Sequence, residues 1–145
     1  MTADAPGPAR DREPGRVGER FAPGESPTGG DVGVGADVPS GSGIGVGEAL
    51  AELRAGAVLV DVRTPNEYRT AHAQPAIHIQ LGWLATDVPA QVPGRTIVTI
   101  CSYGNRASQA AAQLAADGYR AFFVRGGLAA WREAGERVVS TPRSR

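Results

Sequence analysis

Cys101 is the residue of this sequence best suited to chemistry. It is the only cysteine among the 145 residues, and it stands between an apolar run at 96–100 and an alanine-rich stretch with helical spacing. If these segments form a buried strand and a helix, the thiol lies where backbone N–H groups and the helix dipole favour the ionised thiolate. The sequence therefore predicts that Cys101 is a nucleophile at neutral pH.

The six residues from Cys101 to Arg106 form a short loop with the pattern C-x-x-G-x-R. Gly104 permits a backbone turn that a Cβ atom would obstruct, so successive N–H groups can curl around one sulfur atom or one oxyanion. Arg106 is suited to an anionic substrate because its guanidinium group is forked and keeps its charge. Such a loop can stabilise a thiolate, a persulfide or a bound oxyanion.

The length of this loop separates two reactions. Cysteine phosphatases use the pattern C-x5-R, and Ala107 occupies the position that this spacing would give to arginine. A phosphatase also needs a general acid for the leaving alcohol, and Asp87 and Asp117 stay open for that role although no motif supports either. The shorter loop predicts a tighter ring, suited to sulfur rather than to a phosphate group, and sulfur transfer is favoured.

Charged residues and histidines elsewhere are predicted to have structural roles. Arg63 and Glu67 are four residues apart at the start of a short helix and are expected to form an ion pair. Asp61 is expected to accept hydrogen bonds from backbone N–H groups of a neighbouring loop rather than to transfer protons. His72 and His78 lack the spacing of metal ligands, so neither a metal nor a cofactor is expected.

Short apolar runs alternate with helical patterns from residue 44 onward. Strands are predicted at 57–62, 76–79, 96–100 and 119–124. Helices are predicted at 48–54, 64–69, 81–86, 106–117 and 128–134, with a loop around Pro89 and Pro93. Trp83 and Trp131 are expected to pack between helices and sheet. This order predicts an α/β fold with a small, mostly parallel central sheet flanked by helices on both faces, and Cys101 at the carboxyl end of a strand.

Composition separates the first part of the chain from the rest. Residues 1–47 hold 12 of the 20 glycines and 6 of the 11 prolines, with few long apolar side chains. Such a segment cannot bury enough apolar surface to offset its loss of conformational entropy. We therefore predict a disordered, acidic tail over 1–42, a mildly basic folded domain over 43–140 and a flexible C-terminus over 141–145.

The composition also excludes several classes of function. All 15 basic residues are arginines, so Schiff-base and P-loop chemistry, which need lysine, are excluded. One cysteine permits neither an internal disulfide nor a dithiol redox cycle within one chain. A zero net charge, no apolar run of spanning length and no signal sequence predict a cytoplasmic protein without nucleic-acid or membrane partners.

Over residues 44–139 the order and spacing of several motifs resemble a single rhodanese domain, the sulfurtransferase module. The matching stretches are 59–63 with Glu67-Tyr68, His72, 101–106, Gly118-Tyr119 and 126–131. The resemblance implies that Cys101 carries sulfane sulfur as a persulfide and that Arg106 contacts the anionic substrate. It also implies a ring of backbone N–H donors from Ser102, Tyr103, Gly104, Asn105 and Arg106. Segment 71–80 departs from the family pattern, and Ala107 replaces a common serine.

The sequence is compatible with two functions. The first is transfer of sulfane sulfur from a small anionic donor such as thiosulfate to cyanide, a thiol or a protein acceptor through a Cys101 persulfide. The second is a non-catalytic or redox-sensing interaction module on the same fold. Tyr103 is expected to point away from the ring, and a substrate-screening role and a merely exposed position are both open for it. We favour the enzyme, because a binding module does not need Cys, Gly and Arg at this spacing.

Overall fold

A computed structural model describes residues 34–141 of the chain. Its strands are β1 (Gly43–Ile44), β2 (Val58–Asp61), β3 (His72–Ala73), β4 (Ile77–His78), β5 (Ile97–Ile100), β6 (Ala121–Val124) and β7 (Val138–Val139). Its helices are α1 (Val46–Arg54), α2 (Pro65–Thr70), α3 (Leu84–Gln91), α4 (Asn105–Ala116) and α5 (Gly127–Glu133), with a 3₁₀ turn at Leu81–Trp83. Most of the predicted tail, residues 1–33, and residues 142–145 lie outside the described part.

Five strands form a parallel sheet in the order β1-β6-β5-β2-β4. All four residues of the central strand β5 are buried, as expected for an apolar run covered on both faces. Asp61, the last residue of β2, pairs with Ile100, the last residue of β5. The segments that follow these two strands, including Cys101, therefore start side by side at the carboxyl edge of the sheet.

Helices cover both faces of this sheet, so the predicted fold class is confirmed. On one face, Leu84 and Val88 of α3 and Leu114 of α4 pack in the same cluster as Val60 and Ile97 of the sheet. The other face holds a second cluster, whose members from helices and strands are Ala49, Leu128, Trp131, Leu59, Val98 and Phe122. Successive strand residues thus supply opposite faces of the sheet, because side chains alternate along a strand.

The prediction for the two tryptophans is right for Trp131 and wrong for Trp83. The side chain of Trp131 is 1% exposed, whereas that of Trp83 is 60% exposed. Trp83 ends the 3₁₀ turn, and the buried positions come later, at Leu84 and Val88 of α3. The winding of the chain through this turn therefore leaves the indole of Trp83 at the surface.

Helix α3 continues through Pro89 to Gln91, where the sequence predicted a loop. Proline removes one hydrogen bond from a helix interior, a cost that sequence reasoning treats as a stop signal. Here Leu84 and Val88 are fully buried on the sheet, and Val92, just after the helix, is also buried. Burial of this apolar face offsets the missing hydrogen bond.

Residues 34–42, assigned to the tail from composition, contact the domain. The N–H of Gly41 donates to the carbonyl oxygen of Ala121 at 2.6 Å. The N–H of Val34 donates to Oε2 of Glu52 at 2.8 Å. The packed domain therefore includes this segment, a correction to the predicted boundary at residue 42. Composition missed the segment because its ordering depends on hydrogen bonds to residues distant in the sequence.

A small antiparallel sheet was not expected from the sequence. It pairs His72 with Val139 and Ala73 with Val138, in strands of two residues each. Thr141, placed in the flexible C-terminus by the prediction, donates its N–H to the carbonyl oxygen of Arg69 at 3.0 Å. Strands this short have no periodicity to detect. No helix within residues 34–141 is long and apolar enough to cross a membrane.

Candidate active site

The thiol of Cys101 lies at the start of helix α4 and accepts hydrogen bonds from two backbone N–H groups. Cys101 directly follows β5 and is 2% exposed. Its Sγ atom accepts hydrogen bonds from the N–H of Gly104 at 3.1 Å and from the N–H of Ala107 at 3.3 Å. These amides belong to the cap and first turn of α4, where N–H groups lack intrahelical partners. They can therefore stabilise negative charge on the sulfur.

Ala107 is a contributor that the sequence analysis missed. The predicted ring ended at Arg106, and the sequence analysis considered Ala107 only for the side chain that it lacks, an arginine of the phosphatase pattern or the family's common serine. Its backbone N–H nevertheless donates to the sulfur atom. A signal was available, since the predicted helix starting at 106 already placed Ala107 in a first turn with free N–H groups.

Gly104 allows the loop to close around the sulfur. It is the N-cap of α4 and has a φ of 123°, a conformation that side-chain-bearing residues rarely adopt. This angle directs the Gly104 N–H at Sγ of Cys101. The conformational role predicted for Gly104 is therefore present in the structure.

Helix α5 holds the other side of the loop. The N–H of Leu128 donates to the carbonyl oxygen of Cys101 at 2.7 Å, and the N–H of Ala129 donates to that of Ser102 at 3.2 Å. Gly127 makes this approach possible, because a Cβ atom there would lie 2.4 Å from the Cys101 oxygen. The sequence indicates a turn at Gly126-Gly127 with room beside the cysteine loop, and the close approach at Gly127 agrees with that interpretation.

Arg106 is bound to Glu67 rather than free for an anion. Its Nη1 donates to Oε1 of Glu67 at 2.7 Å and its Nη2 to Oε2 at 3.1 Å, with Nη2 also 3.4 Å from Oγ of Ser102. The hydrogen bond with Arg106 is the main cause that lowers the pKa of Glu67 to about 2, and burial partly opposes it. The same hydrogen bond raises the pKa of Arg106 above its usual value.

The predicted ion pair between Arg63 and Glu67 is therefore wrong. Arg63 binds Asp61 instead, with Nε 2.9 Å from Oδ1 and Nη2 2.8 Å from Oδ2. Asp61 Oδ1 also accepts the N–H of Arg63 at 3.0 Å, so it supports the loop after its own strand rather than a neighbouring loop. Both side chains are buried. The prediction failed because Arg63 precedes the N-cap of α2, so a spacing of four residues does not place it on the same helix face as Glu67.

The remaining predicted ring residues lie around the mouth of the loop. Tyr103 is 78% exposed, so its side chain lies at the surface as expected. Ser102 is half-buried beside Arg106, and Asn105 is exposed at the first position of α4. No hydrogen bond from the N–H of these three residues to the sulfur is present in this part of the structure.

His72 and His78 flank the ring of Tyr68. The ring centroid of Tyr68 is 3.8 Å from that of His72 and 4.8 Å from that of His78, in stacked arrangements. His72 Nδ1 donates to the carbonyl oxygen of Tyr68, and His78 Nε2 donates to that of Arg63, each at 2.7 Å. Both histidines thus have structural partners. Between residues 34 and 141, no group of three or more His, Cys, Asp and Glu residues is arranged to hold a metal ion.

A cleft of about 350 Å³ lies beside the Glu67–Arg106 pair. Its lining includes Glu67 itself, Leu128 of α5 and the exposed Arg132. Two of its lining residues contact the cysteine loop, since the N–H of Leu128 donates to the carbonyl oxygen of Cys101 and Glu67 binds Arg106. Residues 101–106 do not themselves line the cleft.

The fold and the cysteine loop define a rhodanese-like domain, and this chain belongs to that family. The family model described as Rhodanese-like domain matches residues 46–134. The chain is 33% identical over 86 residues to the thiosulfate sulfurtransferase GlpE of Pseudomonas syringae, an alignment covering 59% of this chain and 81% of GlpE. The resemblance inferred from the motifs is confirmed.

Two further comparisons give a curated relative and a solved structure that are similar to this chain. The chain is 35% identical over 97 residues to an uncharacterised protein of Synechocystis, covering 65% of this chain and about half, 54%, of that relative. A solved rhodanese-related protein from Thermoplasma volcanium superposes with a TM-score of 0.61 at 26% identity. That match covers 68% of this chain and 97% of the archaeal one.

Proposed function

We propose that this protein is a sulfurtransferase that moves sulfane sulfur from thiosulfate or a similar donor to cyanide, a thiol or a protein acceptor. The observation that carries the proposal is the pair of backbone N–H groups, from Gly104 and Ala107, that donate to Sγ of Cys101. The similarity to a thiosulfate sulfurtransferase over most of that enzyme's length supports it. Cys101 is the proposed sulfur carrier.

In the proposed first step, the Cys101 thiolate attacks the outer sulfur of thiosulfate. A bond forms between Sγ and the outer sulfur, the bond between the two sulfur atoms of thiosulfate breaks, and its electron pair leaves with sulfite. The outer sulfur then carries the negative charge as a persulfide, bonded to the Sγ atom at which the fixed N–H groups of Gly104 and Ala107 point. Helix α5 keeps the donors in place by holding the carbonyl oxygens of Cys101 and Ser102.

In the second step an acceptor attacks the outer sulfur of the persulfide. With cyanide the product is thiocyanate, and the electron pair of the cleaved sulfur–sulfur bond returns to Sγ as the thiolate. A thiol acceptor would give a new persulfide in the same way, with its proton released to solvent. Covalent storage of the sulfur separates the two substrates in time, which is the advantage of a nucleophilic intermediate.

A second candidate function is an interaction module in which Cys101 does not turn over. Its support is that the Cys101 side chain is 2% exposed and that Glu67 occupies both terminal nitrogens of Arg106. Such a protein would use the same surface to bind a partner without transferring sulfur. We favour the transferase because Sγ has two N–H donors, an arrangement that a binding module does not require.

Intact-mass spectrometry tests the proposal. The full-length protein is incubated with thiosulfate and, separately, with methanethiosulfonate, a donor with the same reacting sulfur and one negative charge fewer. The expected result is a gain of one sulfur atom on Cys101, removed by cyanide with release of thiocyanate. The matched Cys101→Ser variant should gain no sulfur while keeping the same thermal unfolding curve. If neither donor adds sulfur, the proposed function is wrong and the interaction module is favoured.

A further inference from the structure

The guanidinium of Arg106 faces a carboxylate that competes with any anionic donor. Nη1 and Nη2 of Arg106 both donate to Glu67, in a bidentate arrangement. Both side chains are 36% exposed, so an incoming donor can reach the pair. A donor that approaches Arg106 therefore meets the negative charge of Glu67 at the same place.

Glu67 is also anchored from the opposite side. Its Oε1 accepts hydrogen bonds from the N–H of Thr64 and from Oγ1 of Thr64, each at 3.1 Å. These bonds form the capping box that starts helix α2. If an anionic donor took Arg106 away from Glu67, the bonds from Thr64 would still hold the Glu67 carboxylate near the mouth of the loop.

Two other arginines lie near this pair: Arg63, whose charge is already neutralised by Asp61, and the exposed Arg132, which lines the same cleft as Glu67. Arg63 is bound to Asp61 through two nitrogens and is buried. The pairs Arg106–Glu67 and Arg63–Asp61 therefore each sum to zero charge beside the loop. Glu67 is ionised at neutral pH, since its pKa is about 2.

From this geometry we propose that Glu67 determines donor specificity, selecting against dianionic sulfane donors and in favour of donors with less negative charge. The inference rests on the proposed function and names the substrate class of the same site. Coulomb repulsion by one fixed charge scales with the charge of the donor. Removal of that charge should therefore raise the logarithm of kcat/KM twice as much for a dianionic donor as for a monoanionic one.

The test compares kcat/KM for thiosulfate, a dianion, and methanethiosulfonate, a monoanion that releases methanesulfinate by the same bond exchange. The key variant is Glu67→Gln, because glutamine keeps the capping box with Thr64 and removes the charge. We expect kcat/KM to rise about threefold for methanethiosulfonate and about tenfold for thiosulfate at low ionic strength. The preference for the monoanion should thus fall about threefold.

Two matched variants separate charge from structure. Glu67→Asp keeps the charge and should keep the wild-type preference between the donors. Glu52→Gln removes the same charge from the Glu52–Arg120 pair, whose Arg120 precedes β6 at the opposite end of the sheet, and should leave the preference unchanged. Unfolding curves of all three variants verify that they are folded.

The outcomes distinguish this inference from the proposed function. If both donors load sulfur but Glu67→Gln changes the two kcat/KM values equally, or lowers both, Glu67 only positions Arg106 and the specificity role is overturned. If neither donor loads sulfur on the wild type or on Glu67→Gln, the sulfurtransferase proposal itself fails. An increase that is larger for the dianion and absent in Glu52→Gln supports the inference.

Discussion

The backbone N–H of Leu128 donates a 2.7 Å hydrogen bond to the carbonyl oxygen of Cys101. This contact joins the first turn of α5 to the residue proposed to carry sulfur. It requires glycine at the preceding position, because a Cβ atom on residue 127 would lie 2.4 Å from that oxygen and 2.6 Å from the carbonyl carbon of Ser102. The shape of the cysteine loop therefore depends on a helix that follows it by more than twenty residues.

Gly127→Ala should damage both stability and sulfur transfer. The φ of Gly127 is 59° and the added Cβ would contact backbone, which can move only by displacing the loop. We expect a loss of about 3 kcal/mol in the free energy of unfolding, since overpacking and an unfavourable φ add to each other. Urea unfolding measures this loss, and intact mass after thiosulfate treatment measures sulfur loading.

Gly135→Ala is the matched control for Gly127→Ala. Gly135 also has a positive φ, of 83°, but a Cβ atom there meets nothing within 4 Å. Its cost should be about 1–2 kcal/mol from the backbone conformation alone, with normal sulfur loading. Equal effects of the two substitutions would contradict the role assigned to Gly127.

Gly104→Ala should slow the alkylation of Cys101 by iodoacetamide at pH 7. The N–H groups of Gly104 and Ala107 donate to Sγ, where they can stabilise negative charge on the reacting sulfur. Alanine disfavours the φ of 123° that directs the Gly104 N–H at Sγ. The rate of mass gain with iodoacetamide measures the effect, and equal rates for wild type and Gly104→Ala would show that this donor does not activate the thiol.

The Glu67–Arg106 pair should stabilise the fold at neutral pH and cease to do so in acid. The pKa of Glu67 is lowered from 4.5 to about 2, so the ionised form is favoured in the folded state. Its contribution is fully present above pH 4.5 and is lost as the pH falls through about 2. Because both side chains are 36% exposed, solvent screening limits this contribution to about 0.5–1 kcal/mol.

Comparison of wild type with Glu67→Gln checks the direction of this pH dependence of stability. The wild type should be the more stable protein by urea unfolding at pH 7, and the difference should shrink between pH 4 and pH 2. It should also shrink in 1 M salt, since the pair is accessible to ions. If the stability difference between wild type and Glu67→Gln grew on acidification, the ionised Glu67 carboxylate would not be the form that stabilises the fold.

The two tryptophans should respond very differently to replacement by alanine. Trp131 is buried between sheet and helix, so Trp131→Ala should cost about 3–5 kcal/mol through lost burial and a cavity. Trp83 is 60% exposed, and Trp83→Ala should change stability by no more than about 0.5 kcal/mol. Chemical unfolding followed by circular dichroism measures the stability of both variants. Similar losses of unfolding free energy would contradict the finding that Trp131 is buried and Trp83 is not.

The sequence by itself determined the strand and the helix that flank Cys101, and with them the position of the thiol. The run before Cys101 and the alanine-rich stretch after it are local patterns, and they form β5 and α4. Gly104 was identified because a tight turn at that point needs a residue without a side chain, and its φ of 123° agrees. Thr64 and Pro65 begin α2 because capping depends on neighbours within one turn.

Tertiary structure alone decided the partners of these elements. Glu67 and Arg106 are 39 residues apart, and they meet because β2 and β5 end side by side at one edge of the sheet. The contact of Gly127 with Cys101 likewise depends on where α5 returns to that edge. Periodicity and capping are set by a few consecutive residues, whereas ion pairs and close backbone contacts are set by how distant segments pack together. The sequence therefore identified the thiol, and the fold determined which charges face it.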